Sequence, residues 1–227
     1  MISPIVNALA IVMGSLIGLL LKKGIPERLS TSLMKALALC VIYIGIKGVL
    51  TGEKTLMLII AIVIGTLIGE GIDLDKRVHA FGDWIESKIK KNDKSETSIA
   101  EGFVAATLLF GVGAMAIIGS LQSGLTGDHE TIFTKSIIDF VVAMIFTTTK
   151  GVGVMLSGVA ILFYQGSIVL ASTWLAPLLT EGIINEMTVI GSLIIIALGL
   201  NMLEVTKIKV MNLVPAIFLP IILMRFM

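Results

Sequence analysis

Long apolar runs constrain this chain more than any other feature of its sequence. A spanning α-helix needs about 20 predominantly apolar residues, and the sequence holds eight runs near that length. Of its 227 residues, 56% are hydrophobic and only 15% are charged, against about 25% charged residues in a typical soluble domain. The mean hydropathy is +1.03. The sequence therefore predicts an all-α fold, a polytopic transmembrane helix bundle that forms a single membrane domain over residues 1–227.

The predicted spans can be placed along the chain to within a few residues at each end. Between the third and fourth spans, residues 73–98 are polar, and Trp84, Ile85 and Ile89 recur there at helical spacing. We predict an amphipathic cytoplasmic helix and linker in that segment. The glycine-rich fourth and sixth spans could be continuous or broken, because broken helices are tolerated where they line protein or water. The eight predicted spans are Ile5–Leu21, Leu29–Leu50, Leu56–Ile72, Phe103–Leu121, Ile132–Thr149, Val152–Ala171, Ile183–Leu203 and Val210–Phe226.

Basic residues are concentrated in alternate connections between these spans. Lysine and arginine in short loops are retained in the cytoplasm, so we predict a multi-pass cell-membrane protein with both termini extracytoplasmic. The first apolar run precedes Lys22 and Lys23, an order that favours a retained span over a cleaved signal peptide. The basic residues on the predicted cytoplasmic side are Lys22, Lys23, Arg28, Lys35, Lys76, Arg77, Lys88, Lys90, Lys91, Lys94, Lys150, Lys207 and Lys209.

Composition and motifs argue against several functional classes. The net charge of +1 gives no electrostatic case for nucleic acid. The sequence has no phosphate-binding GxxxxGK[ST] loop and no HExxH motif, and its one cysteine, Cys40, lies in an apolar run. His79 and His129 fall in polar segments, where we expect solvated loop histidines. We therefore expect no metal site, no cofactor and no enzymatic activity.

A weak internal repeat is also visible. The tetrapeptide IGIK around Gly45 resembles LGLN around Gly199, and aligning these glycines also brings the third span onto the eighth and the first close to the sixth. Five spans separate the partners, so the two halves would run in opposite directions. Inverted repeats of this kind build many secondary transporters, whose binding site lies near the midplane between the repeats. The alternative is a chance recurrence of Leu, Ile and Gly in membrane helices.

Asp139 is the polar residue that stands out most, because it lies about eight residues into the fifth span. A carboxylate at the centre of a membrane helix costs roughly 2.5–3.5 kcal/mol, and such residues usually face the bundle interior or a water-filled cavity. Two structural explanations compete with a functional one. Lys135, four residues earlier, could form a salt bridge with Asp139 near the membrane face. The helix could also begin later and leave Asp139 near its favourable N-terminus.

Other polar residues could complete such a site. Gln122 and Ser120 lie at the end of the fourth span, and Gln165 lies near the middle of the sixth. A buried amide needs hydrogen-bond partners, and Asp139 or Gln122 could supply them to Gln165. Asn201, which the repeat pairs with Lys47, is a further ion- or substrate-binding candidate. The glycines that would pack helices closely or let them break are Gly111, Gly113, Gly119, Gly151, Gly153 and Gly166.

Several of these stretches together resemble a known family. The stretch GVGAMAIIGSLQ, which ends at Gln122, is followed by Gly124–Asp128, Lys135-Ser136, Asp139, Gly151–Val154, Ser157, Tyr164–Gly166 and Asn212–Ala216. On these residues the chain resembles the domain of unknown function 554 family (YqgA/YdfK-like) of bacterial and archaeal multi-pass membrane proteins, over nearly its whole length.

The resemblance implies one shared site and strengthens the predicted fold and membrane location more than a particular activity. One departure is Phe140, where the family pattern has a small residue, usually glycine, and this change would narrow the space that Asp139 faces. The residues that the resemblance assigns to the shared site are Gln122, Asp128, Lys135, Asp139, Ser157 and Gln165.

We expect a secondary transporter, or a channel-like permease, that moves a small solute or ion across the lipid bilayer. Asp139 would bind a proton, a cation or a substrate amine, while Gln122, Ser120 and Gln165 would supply neutral hydrogen bonds. The alternative is a non-transporting membrane sensor, scaffold or assembly partner that uses residues 73–98 as its contact surface. Small residues on several helix faces would also allow a homo-oligomer.

Overall fold

The computed structural model describes residues 1–22, 27–89, 98–112 and 114–225. Every regular element within these ranges is helical, which confirms the predicted all-α class. The helices are α1 (Ile2–Lys22), α2 (Glu27–Val49), α3 (Thr55–Ile72), α4 (Leu74–Ile89), α5 (Ile99–Gly111), α6 (Ala114–Leu125), α7 (Glu130–Lys150), α8 (Gly153–Leu170), α9 (Ser172–Leu175), α10 (Glu181–Met202), α11 (Val210–Leu213), a 3-10 helix (Val214–Phe218) and α12 (Pro220–Leu223).

Five helices, α1, α3, α7, α8 and α10, are long and apolar enough to cross a membrane. The pair α5 and α6 gives a sixth candidate span, although the two axes meet at 62° across the break between them. Outward-facing apolar side chains such as Leu67 and Phe163 are more than two-thirds exposed, as expected of helices that face lipid. Length and composition thus give five or six candidate spans in the described ranges, and the count of eight stays a prediction.

Breaks in the helices fall at glycine and proline. The predicted fourth span is interrupted after Gly111, whereas the predicted sixth span is the continuous helix α8. The predicted break residue Gly113 lies outside the described residues. Pro215 and Pro220 divide the last apolar segment into α11, the 3-10 helix and α12, because proline cannot donate the backbone hydrogen bond that a helix interior requires.

Two glycines let α1 approach α7 closely. A Cβ atom added at Gly14 would overlap the Phe140 carbonyl oxygen, and one added at Gly18 would overlap the Met144 carbonyl oxygen. The two contacts advance together along both helices, so α1 and α7 run parallel. The GxxxG pattern of the first span therefore packs helices, which is its usual role in membranes.

The contact between α2 and α10 is reciprocal. Gly45 of α2 faces the Ile196 side chain, and Gly199 of α10 faces the Ile42 side chain. The same interval in residue number separates Gly45 from Gly199 and Ile42 from Ile196. The two helices cross in opposite directions through surfaces that correspond to each other.

Helix α3 holds the broken C-terminal segment. Gly65 faces the backbone of Ala216, and Gly69 faces the Asn212 carbonyl oxygen. The Asn212 Oδ1 atom accepts a hydrogen bond of 2.8 Å from the Asp75 backbone N–H at the start of α4. This bond ties α4 to α11. Helix α4 itself lies within the segment 73–98, where the sequence predicted a helix. Residues 90–97 of that segment lie outside the described residues.

Both chain termini lie at one end of the bundle. The Met1 side chain lies against Gly166 near the end of α8, and the Lys54 Nζ atom donates to the Met224 sulfur at 3.2 Å. The described basic connections, around Arg77, Lys150 and Lys209, lie at the opposite end, which we call the basic end; the other is the terminus end.

The close approach of α1 to α7 can be tested by adding a side chain at Gly14. We expect Gly14→Leu to destabilise the fold by about 1–3 kcal/mol, because overpacking of a tight contact forces backbone shifts. Thermal unfolding of the purified protein in detergent measures this effect. The matched control is Gly71→Leu in α3, where no atom lies within 4 Å of an added Cβ. Equal stability of the two variants would contradict the packing role of Gly14.

Candidate functional site

Asp139 and Lys135 form a buried ion pair within α7. The Lys135 Nζ atom donates to both carboxylate oxygens of Asp139 at 2.8 Å, and the two residues are only 3% and 8% exposed. Helix α7 begins at Glu130, so Asp139 lies in its third turn. The alternative in which the helix begins later and leaves Asp139 at its start is therefore wrong, and the predicted i−4 pairing is present.

Asn7 of α1 lies beside this pair and bonds to Gln165 of α8. The Asn7 Nδ2 atom donates to Gln165 Oε1 at 3.0 Å, both residues are fully buried, and the Asn7 side chain is also placed next to the Asp139 carboxylate. The prediction that Gln165 would pair with Asp139 or Gln122 is wrong. Its partner is Asn7, because α1 packs against both α7 and α8.

Two polar atoms in this cluster have no hydrogen-bond partner. They are Asn7 Oδ1 and Gln165 Nε2. Leaving a buried donor or acceptor unpaired costs roughly 1–3 kcal/mol, so such atoms in a folded protein call for an explanation. A bound water or a polar solute that pairs with both of them would supply one. We define the site as Asn7, Lys135, Asp139 and Gln165.

A line of polar groups continues from the site toward the terminus end. The Ser3 and Ser123 hydroxyl oxygens are 2.6 Å apart, and Ser123 Oγ lies 2.9 Å from His129 Nδ1. His129 is half-buried, and its ring packs against Phe133 with centroids 5.7 Å apart. His129 lies in the loop before α7, as expected, but it is half-buried and bonded to Ser123 rather than fully solvated.

The remaining polar candidates near α6 are satisfied locally. Ser120 donates to the Ala116 carbonyl of its own helix at 2.6 Å. Gln122 Oε1 accepts from the Thr131 hydroxyl at 2.9 Å, which joins α6 to α7. The Asp128 carboxylate is exposed and accepts from the Glu130 backbone N–H at 3.0 Å. None of these three bonds joins the site.

Two further candidates stand apart from the site. Ser157 is buried and donates to the Val154 carbonyl of α8 at 2.6 Å. Asn201 lies at the basic end, where its Nδ2 donates to the Ile208 carbonyl at 2.7 Å and its Oδ1 accepts from the Ile208 N–H at 2.9 Å. These bonds close the loop after α10, so the structure gives Asn201 a clear local role.

The described candidate glycines serve packing and turns. Gly111 ends α5 at the break, and Gly119 seats α6 against Thr131 and Ile132. Gly151 has φ +71° in the turn from α7 to α8, a backbone conformation that favours glycine. Gly153 packs α8 against the α5 backbone, and Gly166 lies beside Met1.

Two cavities lie near the broken helices and the basic end. The smaller, about 150 Å³, is mostly apolar and lies between the α5–α6 break, α8, α10 and the 3-10 helix, with Thr107, Tyr164 and Thr188 among its lining residues. The larger, about 640 Å³, opens at the basic end. Its charged and histidine lining residues are Asp75, His79, Glu101, Lys150, Glu204, Lys207 and Lys209.

Comparison with known proteins shows which family this chain belongs to. The model of the family described as "Protein of unknown function (DUF554)" matches residues 2–225. The chain belongs to the DUF554 family.

Two relatives align with this DUF554 chain over most of their length. The "Uncharacterized membrane protein YdfK" of Bacillus subtilis (strain 168) is 29% identical over 224 residues, which cover 97% of this chain and 94% of the relative. The "Uncharacterized protein YqgA" of Escherichia coli (strain K12) is 30% identical over 220 residues, which cover 96% and 94%. No solved structure matches the DUF554 chain.

Sequence reasoning missed the α1 side of the DUF554 site. Ser3, Asn7, Ile11 and Ser15 recur every fourth residue along α1, and all four are fully buried. Polar residues at this spacing share one face of a helix. This spacing is the sequence signal that could have predicted a buried polar face on α1.

The ion pair can be tested by removing one partner or both. Asp139→Leu leaves Lys135 as an unpaired buried cation, and breaking a buried pair in this way costs about 3–5 kcal/mol. We expect the double variant Lys135→Met/Asp139→Leu to recover most of that loss, because apolar replacements of both partners are often neutral. Unfolding by denaturing detergent, followed by circular dichroism, compares them. An equal loss of stability in the single and double variants would contradict direct pairing.

Proposed function

We propose that this DUF554 protein is a secondary transporter, or a channel-like permease, for a small solute or ion, and that Asp139 belongs to its binding site. The observation that carries the proposal is the buried Asp139–Lys135 pair, adjoined by the Asn7–Gln165 pair with its two unpartnered amide atoms. Ionisable residues inside membrane helices are costly and typically mark ion or substrate pathways.

A purely structural salt bridge is the competing explanation for the pair. A structural pair needs its surrounding polar groups satisfied, since a half-satisfied buried network is less stable than an apolar core. Here Asn7, which lies next to Asp139, and Gln165, which bonds to Asn7, each keep one buried amide atom without a partner. The free Gln165 Nε2 donor and the free Asn7 Oδ1 acceptor are groups to which a small polar ligand would bond. The arrangement therefore favours ligand binding over a purely structural role.

The helix architecture supports the same class of function. The reciprocal contact of Gly45 and Gly199 is what an inverted repeat of spans one to three and six to eight would produce. Secondary transporters of this design place broken helices around a midplane site. The α5–α6 break and the proline-broken C-terminal segment both line the small cavity. Tyr164, adjacent to Gln165 in α8, lines the cavity as well.

Transport can be tested by charge movement in proteoliposomes on a solid-supported membrane. A panel of ions, amino acids and carboxylates is applied at two pH values to wild type and to Asp139→Asn. We expect at least one wild-type current that the variant lacks, because the amide cannot carry the carboxylate's charge. The matched control is Glu53→Gln, which removes an exposed carboxylate at the terminus end and is expected to keep the current.

The double variant Lys135→Met/Asp139→Leu separates binding from stability. If the pair served only to stabilise the fold, the double variant would retain the wild-type current. Silence of folded, inserted wild type across the panel, and in a tracer assay for electroneutral exchange, would contradict the proposal. That result would favour the sensor or scaffold alternative, with α4 as the contact surface.

We further propose that the basic end faces the cytoplasm and that the terminus end faces outward. The support is the separation of charges: Arg77, Lys150 and Lys209 lie at one end, and both termini lie at the other. Lysine and arginine in short connections set orientation in membrane proteins. The residues 73–98 would then be cytoplasmic.

Orientation can be tested by cysteine labelling in intact cells. In a Cys40→Ala background, a cysteine is introduced at Thr126 at the terminus end or at Val205 in the loop after α10, both of them exposed. We expect a membrane-impermeant maleimide to label the Thr126→Cys protein from outside, and to label Val205→Cys only after the membrane is opened. The reverse pattern would overturn the proposed orientation.

A further inference from the structure

His129, Ser123 and Ser3 form a continuous line of exchangeable protons at the terminus end. The contacts are 2.9 Å between His129 Nδ1 and Ser123 Oγ, and 2.6 Å between the two serine oxygens. A hydroxyl can donate one hydrogen bond and accept others at the same time, and an imidazole can take a proton on one nitrogen and release one from the other. Ser3 and Ser123 are buried, whereas His129 reaches the surface.

The inner end of this line leads toward Asp139. Ser3 and Asn7 lie one turn apart on the same buried face of α1, where side chains four residues apart are neighbours about 5–6 Å apart at Cβ. Asn7 is placed beside the Asp139 carboxylate. Its unpartnered Oδ1 is a free acceptor and the unpartnered Nε2 of Gln165 is a free donor, and the inferred path uses them to hold the water that links Ser3 to Asp139.

We propose that Asp139 exchanges its proton with the solvent at the terminus end through Ser3, Ser123 and His129, and that the proton is the coupling ion of the transporter. This inference rests on the proposed function and deepens it. The three residues outside the site become positioning residues of a proton path, a role that neither the family description nor the relatives assign.

The step balances without any further reactant. A hydronium ion gives a proton to His129 Nε2, and the proton on Nδ1 passes to Ser123 Oγ. Ser123 gives its own hydroxyl proton to Ser3, and Ser3 passes one through a water to an Asp139 oxygen. The carboxylate becomes a neutral acid, its charge-assisted bonds to Lys135 are lost, and the Lys135 ammonium keeps its charge.

Few other charged groups of the described residues face this path. Near His129 these are the exposed carboxylates of Asp128 and Glu130 and the N-terminal amine of Met1, two residues before Ser3. Near Asp139 the charged partner is Lys135 from the same helix, while α1 and α8 contribute the neutral amides of Asn7 and Gln165. The acidic mouth attracts protons, and at the inner end of the path the Asp139 carboxylate lies next to the Lys135 ammonium group.

The path can be tested by following the protonation of Asp139 directly. Purified full-length protein in lipid nanodiscs is given an acid jump, and the carboxylic acid C=O band is recorded by time-resolved infrared spectroscopy, with Asp139→Asn identifying the band. We expect Ser123→Ala to slow protonation by roughly tenfold or more, as loss of a positioned proton-transfer group does in general acid–base chemistry, with its equilibrium protonation unchanged. Ser123→Thr, which keeps the hydroxyl, is expected to restore the rate.

The matched control is Ser192→Ala, which removes a buried serine hydroxyl from α10, away from the path. Equal protonation rates in wild type, Ser123→Ala and His129→Gln would overturn the proposal. So would an Asp139 that stays ionised across the pH range while wild-type currents persist, and in that case the proposed transport function would stand. Intact proton exchange without any solute or ion current would instead remove the transport function.

Discussion

A carboxylate among membrane helices needs a partner that enters the low-dielectric interior with it, and Lys135 provides that partner to Asp139. The bond is intrahelical, so the pair forms with α7 itself and requires no other helix. The other helices bury this ion pair. Gly14 and Gly18 bring α1 against α7, and α1 in turn carries Asn7 to Gln165 of α8. The polar site of Asn7, Lys135, Asp139 and Gln165 is thus assembled around one ion pair.

Much of this could be predicted from residue types and spacing. Runs of apolar residues gave the helices, and the four-residue spacing of Lys135 and Asp139 gave the ion pair. The basic connections gave an alternation that agrees with both termini lying at one end. Each of these features is set by neighbouring residues or by one repeat spacing, so it can be recognised in the sequence alone.

Features that depend on which helices meet could not be predicted in the same way. Gln165 pairs with Asn7 because α1 packs against both α7 and α8, and no local pattern specifies that arrangement. His129 lies in the loop between α6 and α7, and no local pattern shows that it bonds back to Ser123 of α6. The last apolar run is divided at Pro215 and Pro220. A hydropathy average over the run does not reveal such breaks, because it does not take account of backbone hydrogen bonding.

That broken C-terminal segment has a consequence for how the protein enters the membrane. The apolar helices of Val210–Leu223 are shorter than a spanning helix, and Pro215 and Pro220 lack the backbone N–H that a continuous helix would use. The segment packs against Gly65 and Gly69 of α3 and against α10. We therefore expect it to be a late element of assembly, which packs only after the preceding helices have formed the groove that receives it.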